Sequence, residues 1–247
     1  MLTNKTALIT GVSSGIGKSI LLSLLQEGCI VHGIVRNEEK KDLLQTELSK
    51  TLSPSALQAV TLHTCDLRYP EQIEHLADTL HKVHITPDIL ILNAGIGVYG
   101  PHEELSVKKL TELTAVNFTA PLLLSNLFLR DLKETKGHLL FVSSVTANKT
   151  NNTHGCAYGA TKAGISNFAK SLFEEVRKHG VRITVLAPDM TKTDLYRDAS
   201  FCAYDSPDTA LTPEDVASYA LFALTARDGI NLTELTMQPQ RHRLDKK

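Results

Sequence analysis

Tyr158 and Lys162 are the residues whose types and spacing first suggest proton-transfer chemistry in this sequence. They stand four positions apart in a segment with helical character, so their side chains lie on one helix face, one turn apart. A free tyrosine ionises near pH ~10 and exchanges protons at neutral pH only when positive charge stabilises its phenolate. Lys162 is placed to supply that charge, although the pair alone is equally compatible with an ordinary surface helix.

The overall composition favours one soluble globular domain that acts on a small molecule. The chain has 247 residues, of which 42% are hydrophobic and 21% charged, and its net charge is −1. That balance gives no electrostatic basis for binding nucleic acid or an anionic membrane, so the expected partner is a small molecule. No carboxylate or cysteine completes a closed ligand set with His75, His81 and His84, and we therefore predict no metal site.

The cysteines and the N-terminus predict a cytoplasmic protein. Four cysteines are widely spaced without a Cys-x-x-Cys pair, which argues against a disulfide framework and suits a reducing compartment. The first residues run into a predicted strand without an apolar signal region, and no uninterrupted apolar stretch approaches the ~20 residues of a membrane span.

A glycine-rich turn follows the first predicted strand, residues 6–10. Gly11, Gly15 and Gly17 are spaced Gly-x-x-x-Gly-x-Gly, and a helical pattern runs over residues 18–27. Such glycines let the backbone approach a ligand, while the free amides of a helix N-terminus bind pyrophosphate. The turn therefore predicts a dinucleotide site, and a flexible turn without a ligand is the alternative.

The end of the second predicted strand, residues 29–35, indicates which dinucleotide binds. An NAD site needs a carboxylate there for the ribose 2′-hydroxyl, whereas a 2′-phosphate needs a nearby arginine instead. Val35 is apolar and Arg36 follows it, and a guanidinium clamps phosphate through paired hydrogen bonds. We predict NADP(H) rather than NAD(H), the alternative being that Arg36 is only a solvated side chain.

Polar and small residues stand where the next predicted strands, residues 59–64 and 88–92, end. Asp66 is a candidate for the adenine amino group or a turn residue before the next helix. Asn93, Ala94 and Gly95 leave room for the cofactor at the carboxyl edge of the sheet, where parallel sheets bind ligands. Asn117 lies in an apolar run and is either a satisfied core amide or a functional one.

The order of elements predicts an α/β fold. Further strands at 137–142, 181–187 and 232–237, with intervening helices, imply a Rossmann-like, doubly wound, seven-stranded parallel sheet with helices on both faces. We predict one domain, 1–247, with a cofactor half at about 1–145 and a catalytic half at about 146–247. Residues 189–211 have little periodicity and carry Tyr196 and Phe201, which is typical of a substrate lid.

Taken together, these features resemble the short-chain dehydrogenase/reductase family over essentially the whole chain. The matching positions, in the family's order and at close to its intervals, are Thr10-Gly11-x-x-x-Gly15-Ile16-Gly17, Asp66, Asn93-Ala94-Gly95, Asn117, Ser144, Tyr158-x-x-x-Lys162 and Pro188. The resemblance implies an enzyme of the alcohol dehydrogenase type that transfers a hydride between NADP(H) and a small-molecule carbonyl or secondary alcohol.

The resemblance also assigns roles to the residues. Tyr158 is the general acid in carbonyl reduction and the base in the reverse, and Ser144 orients the substrate oxygen. Lys162 holds the nicotinamide ribose and lowers the Tyr158 pKa, and Asn117 supports a water-linked proton path. The predicted cofactor site comprises Gly11, Ser13, Ser14, Gly15, Ile16, Gly17, Arg36, Asn37, Asp66, Leu67, Asn93, Ala94, Gly95, Tyr158, Lys162, Pro188 and Thr193. His154 and Tyr196 are the predicted substrate contacts, with solvated loop residues as the alternative.

Three features depart from the family's pattern. Ser144 lies fourteen residues before Tyr158, one more than usual, so either the intervening loop bulges, which we favour, or Ser143 takes the role. Asp189 stands where glycine usually follows the proline. Residues 233–239 lack the usual glycine pair and look more like reductases acting on small hydroxy acids.

Other functions remain open at this stage. The same fold serves cofactor-sensing regulators without catalysis, but these typically lose the Tyr/Lys pair. It also serves epimerases and dehydratases, which retain the cofactor without net NADPH consumption. Family members commonly pair through the helices preceding and containing the tyrosine, so the resemblance implies a homodimer or homotetramer.

Overall fold

The computed structural model describes residues 2–149, 151–204, 206, 208–241 and 243–246, and its centre is a parallel sheet. The strands are β1 Thr6–Thr10, β2 Ile30–Val35, β3 Val60–Thr64, β4 Ile89–Leu92, β5 His138–Val142, β6 Arg182–Pro188, β7 Phe201–Ala203, β8 Glu234–Met237 and β9 Leu244–Lys246. The α-helices are α1 Gly15–Gln26, α2 Glu38–Thr51, α3 Pro54–Gln58, α4 Pro70–Lys82, α5 Val107–Thr114, α6 Ala120–Thr135, α7 Cys156–Val176 and α8 Pro213–Leu224.

Seven strands form the main sheet in the order β3-β2-β1-β4-β5-β6-β8, and every neighbouring pair is parallel. The central strands β4 and β5 are buried at every residue, which explains why all their residues except His138 are apolar. The strand order reverses at β1, which pairs with β2 on one side and β4 on the other. Such a reversal opens a crevice at the carboxyl ends of the strands.

Two apolar cores cover the two faces of the sheet. One contains buried side chains of α1, α2 and α8, and the other contains those of α4, α6 and α7. This three-layer arrangement confirms the predicted doubly wound α/β fold with helices on both faces.

Some local elements differ from the sequence-based predictions. Helix α1 begins at Gly15 rather than at Lys18, and Ser53 caps the short helix α3, which the sequence analysis did not predict. Strand β7 lies in the segment predicted as an aperiodic lid and pairs antiparallel with β9. Strands of three residues are too short to show a period in sequence, which is why neither was predicted.

A long apolar helix precedes β5. Helix α5 continues through a π-helical turn, Ala115–Thr119, into α6. In the part of the chain that the structure describes, the stretch Val107–Thr135 is the one helix that meets the length and hydropathy of a membrane span. Leu124, Phe128 and Leu132 are fully buried in the core, so at least this side of the helix serves packing within the fold.

Candidate active site

A cavity of about 480 Å³ lies at the carboxyl edge of the sheet. It is lined by most of the predicted site residues, namely Gly11, Ser13, Ser14, Gly15, Ile16, Arg36, Asp66, Leu67, Asn93, Ala94, Gly95, Ser144, Tyr158, Lys162, Pro188, Thr193 and Tyr196. Gly17, Asn37, Asn117 and His154 do not line it. The fold thus brings the glycine turn and the Tyr158 helix, far apart in sequence, to one cavity.

The glycine turn presents backbone amides to this cavity. Gly11 and Gly15 have φ of 73° and 57°, a left-handed conformation that side-chain-bearing residues rarely adopt. Among the described residues, no side chain caps the first turn of α1, so its amide groups remain available to an anion.

Gly17 and Asn93 connect the turn to β4. A Cβ atom on Gly17 would collide with the Gly11 carbonyl oxygen and the Asn93 side-chain amide. Asn93 Nδ2 donates to the carbonyl oxygens of Thr10 at 3.0 Å and Gly11 at 3.1 Å. Gly17 therefore acts through close packing beneath the turn, while Asn93 fixes the turn to the end of β4.

The far end of the cavity, beyond β2 and β3, is rich in basic side chains. Arg36 is exposed and lines it together with Lys40 and Arg68, two residues that the sequence did not single out. Arg68 pairs with Asp66 at 2.5 Å and Glu112 at 3.0 Å, and its guanidinium holds the pKa of the Asp66 carboxyl below its usual range.

Asn37 has a local role instead of lining this end of the cavity. Its Oδ1 accepts a hydrogen bond of 3.0 Å from Lys40 N, which caps the first turn of α2. The cap holds the chain that carries Arg36 in a fixed position at the start of the helix.

The two serines after β5 have different environments. Ser143 Oγ is buried and hydrogen-bonds the Lys162 carbonyl oxygen at 3.0 Å and Ser166 Oγ at 2.7 Å. Ser144 lines the cavity with Tyr158 and acts to lower the pKa of Tyr158, and its Oγ accepts from Thr146 N at 3.2 Å. Ser144 rather than Ser143 therefore faces the tyrosine, despite the unusual spacing.

Tyr158 and Lys162 are both buried on α7. The Lys162 ammonium lies 5.8 Å from the centroid of the Tyr158 ring. Burial raises the pKa of Tyr158 to about 12, against hydrogen bonds with Ser144 and Tyr99 that act to lower it. Burial lowers the pKa of Lys162 to about 8. The pair is therefore a buried proton donor beside a cation close to its own titration range.

Asn117 stands behind the cavity, in the π-helical turn between α5 and α6. Its Oδ1 accepts from Ile96 N at 2.8 Å, and its Nδ2 donates to the Ile96 carbonyl oxygen at 2.9 Å. A Cβ atom on Gly95 would lie 3.5 Å from both Asn117 Oδ1 and Lys162 Nζ. Asn117 thus clamps the loop after β4 and reaches the vicinity of Lys162.

The predicted substrate contacts have different environments. Tyr196 lines the cavity from the segment after β6. His154 is exposed, and its backbone carbonyl oxygen accepts a hydrogen bond from Gly100 N at 2.7 Å.

Asp189, the residue that departs from the family's pattern, is buried in the lining. Its carboxylate accepts from Met190 N at 2.8 Å and Gln238 Nε2 at 3.1 Å.

Tyr99 was missed by the sequence analysis, although it contacts Tyr158 directly. It follows Asn93-Ala94-Gly95 on the same loop at the carboxyl edge of the sheet. An aromatic residue so close to that motif was the available signal.

Comparisons with known proteins agree with this geometry. A family model described as short chain dehydrogenase matches residues 5–200. An uncharacterised oxidoreductase of Staphylococcus aureus is 29% identical over 241 residues, covering 97% of this chain and 99% of the relative. An alcohol dehydrogenase of the archaeon Thermococcus sibiricus, complexed with 5-hydroxy-NADP, has a TM-score of 0.84 at 25% identity, covering 97% and 98% of the two chains. A metagenomic short-chain oxidoreductase in complex with NADP has a TM-score of 0.79 at 29% identity, covering 96% and 98%.

Proposed function

Because the chain belongs to the short-chain dehydrogenase family of oxidoreductases, we propose that it is an NADP(H)-dependent enzyme acting on a carbonyl or secondary alcohol. The observation that carries this proposal is the position of Tyr158 and Lys162. They are buried together in the lining of the cavity that also contains the glycine turn. A proton donor, a cation and a dinucleotide cradle thus share one space.

The residues of the cavity fit a dinucleotide. Gly11 and Gly15 keep the backbone of the turn open, and the uncapped first turn of α1 offers amides to a diphosphate. Asn93, Ala94 and Gly95 leave the middle of the cavity free of large side chains, and Pro188 and Thr193 line its other wall. When bound, the cofactor supplies or accepts the hydride.

A 2′-phosphate is favoured over a free 2′-hydroxyl by the charges at the end of β2. Arg36 and Lys40 line the cavity there, and Val35 stands in place of a ribose-binding carboxylate. The nearest acidic cavity residue of this region, Asp66, is held by Arg68. Two structural relatives bind NADP or a derivative of it, which supports the same preference.

The proposed proton transfer depends on the environment of Tyr158. Burial keeps its hydroxyl protonated at neutral pH, ready to donate to the oxygen of a carbonyl substrate. Ser144 lines the cavity beside Tyr158 and is placed to orient that oxygen. Lys162 stabilises the phenolate that remains after transfer, because a cation nearby favours the charged form.

Turnover of NADPH with a panel of aldehydes and ketones tests this function. We expect the purified protein to consume NADPH with at least one member, and Tyr158→Phe to lower kcat/KM by roughly 10²- to 10⁴-fold, the usual contribution of general acid catalysis. Tyr219→Phe, a substitution at a half-exposed position on α8, is the matched control. Equal activities of Tyr158→Phe and the wild type would contradict the assignment.

We also propose that the protein works in the cytoplasm as a homodimer or homotetramer paired through α6 and α7. All four cysteines are free thiols, which suits a reducing compartment. Four leucines of α6 are only partly buried in the chain alone, namely Leu122, Leu123, Leu127 and Leu129. Light scattering tests the oligomeric state, and a monomer at micromolar concentration would contradict it.

A further inference from the structure

Tyr99 lies at the centre of an aromatic cluster beside the proposed proton donor. Its ring centroid is 5.5 Å from that of Tyr158, 5.7 Å from that of Tyr196 and 5.2 Å from that of Phe201. Tyr158 belongs to α7, whereas Tyr196 and Phe201 belong to the segment after β6. Tyr99 therefore contacts both the catalytic helix and the predicted lid.

The loop that carries Tyr99 is held on both sides. A Cβ atom on Gly97 would lie 2.6 Å from the Leu195 carbonyl oxygen, so the loop packs directly on the lid. Gly100, with a φ of 142°, donates its N–H to the His154 carbonyl oxygen at 2.7 Å, just before α7. These contacts, with the Asn117 clamp on Ile96, fix the Tyr99 ring relative to Tyr158.

The Tyr99 ring contacts the rings of Tyr158 and Tyr196, and the Tyr99 hydroxyl acts to lower the pKa of both. Burial raises the pKa of Tyr99 far above its usual range, so this phenol keeps its proton. A phenolate has no proton and can only accept a hydrogen bond. Whenever Tyr158 loses its proton, Tyr99 is therefore, like Ser144, a neighbour whose hydroxyl can donate a hydrogen bond to the phenolate.

We infer that Tyr99 is a positioning residue for the proposed reaction, which holds the Tyr158 oxygen in place and stabilises its phenolate by donating a hydrogen bond. This inference rests on the proposed function. As the carbonyl carbon of the substrate gains a hydride from the cofactor, its oxygen takes the proton of Tyr158. The electron pair of the broken O–H bond stays on the Tyr158 oxygen, and the hydrogen bond from Tyr99 stabilises the phenolate that results.

Other groups around Tyr158 act differently from Tyr99. Lys162 supplies a positive charge from the same helix, and Ser144 donates from the end of β5. Tyr196 approaches from the lid, and its pKa is raised first by burial and then by the charges of Tyr158 and Asp189. Of these groups, Tyr99 is the one whose ring contacts both Tyr158 and the lid residues Tyr196 and Phe201, and Tyr99→Phe keeps these ring contacts while removing the hydroxyl.

The test is Tyr99→Phe, which keeps the ring and removes the hydroxyl. In carbonyl reduction, activity falls as pH rises through the pKa of Tyr158, because the proton donor is lost. Without the hydrogen bond the phenolate is less stable, so this limb of the kcat/KM profile moves to higher pH by about one unit. We expect kcat on the plateau to fall, the KM for NADPH to stay constant, and Tyr219→Phe to match the wild type.

A second measurement needs no substrate. The alkaline difference spectrum between the wild type and Tyr158→Phe reports the ionisation of Tyr158, and the same pair is compared in the Tyr99→Phe background. We expect a higher midpoint in that background. Identical midpoints, or superimposable pH profiles, would overturn the inference. If the wild type turns over no carbonyl, the proposed function fails, and this titration still decides the role of Tyr99.

Discussion

Lys162 donates a hydrogen bond of 2.8 Å from its ammonium group to the carbonyl oxygen of Val142, the last residue of β5. Lys162 is almost completely buried, and this burial lowers its pKa to about 8. A cation held there at neutral pH costs stability, since one carbonyl oxygen does not replace its hydration. The position is therefore one where function and stability oppose each other.

Lys162→Met should separate the effect of this residue on activity from its effect on stability. We expect kcat/KM to fall at least about 100-fold, while the free energy of unfolding at neutral pH stays constant or rises by up to about 2 kcal/mol, since a buried charge is removed. In the wild type the lowered pKa makes stability rise with pH from about 8 toward 10.5, and this rise should vanish in the variant. Urea unfolding at several pH values measures this dependence of stability on pH. Lys178→Met, exposed after α7, is the control, and a destabilised Lys162→Met would contradict the argument.

Arg36→Asp should reverse the cofactor preference. The wild type is expected to bind NADPH at least about tenfold more tightly than NADH, which corresponds to about 1.4 kcal/mol for the phosphate contact. The carboxylate of the variant repels the 2′-phosphate and accepts from a 2′-hydroxyl, so NADPH affinity falls and NADH affinity rises. Fluorescence titration with both nucleotides measures the ratio. Arg227→Asp, at an exposed position after α8, is the control, and a ratio unchanged by Arg36→Asp would remove the basis of the prediction.

The sheet could be predicted from the sequence because buried parallel strands are uninterrupted apolar runs, such as residues 89–92. Short elements could not be predicted in this way. Strand β7 depends on pairing with β9, which is more than forty residues later in the chain. A strand of three residues is also too short to show an alternating pattern in the sequence. The π-helical turn around Asn117 was equally invisible, because its side-chain pattern continues that of α5 and α6.

The site was predictable where chemistry requires a residue type, as at Gly11, Tyr158 and Lys162. It was not predictable where the role depends on neighbours in space. Arg68 follows Asp66 closely in sequence, yet only the fold shows that it also reaches Glu112 on α5. Tyr99 contacts residues about 60 to 100 positions further along the chain, and its position after Asn93-Ala94-Gly95 indicates that it is near the site without indicating those contacts.

Asn117→Ala should loosen the loop after β4. The substitution leaves both the N–H and the carbonyl oxygen of Ile96 without their side-chain partner, which costs about 1–3 kcal/mol of stability. Hydrogen exchange of peptides covering residues 95–101 should become faster, while the other strand ends keep their protection. Gln45→Ala, which removes an exposed amide side chain on α2, is the matched control. Unchanged exchange in this loop would show that Asn117 does not clamp it.

The protonation state of His138 on β5 follows from its partners. Thr184 Oγ1 donates its single proton to the Leu232 carbonyl oxygen at 2.7 Å, so it accepts at 2.8 Å from His138 Nε2. His138 Nδ1 is buried and has no hydrogen-bond partner among the described residues. A second proton on this ring would have no acceptor, and burial lowers the pKa of His138 to about 3.

His138 should therefore make the fold sensitive to acid. Its folded pKa is lowered below the ordinary value of 6.5, so its contribution to stability is complete above that pH and declines as pH falls, since only the unfolded chain takes up the proton. Between about pH 7.5 and about pH 5, the free energy of unfolding therefore falls by roughly 2 kcal/mol.

Two further histidines act in the same direction. His32 and His63 lie 3.0 Å apart on β2 and β3, and both have lowered pKa values. Between these two pH values, the free energy of unfolding of His138→Leu should fall by about 2 kcal/mol less than that of the wild type. Urea unfolding at both pH values measures this difference. His75→Leu, exposed on α4, should keep the full loss, and equal losses in wild type and His138→Leu would mean that His138 takes up a proton inside the fold.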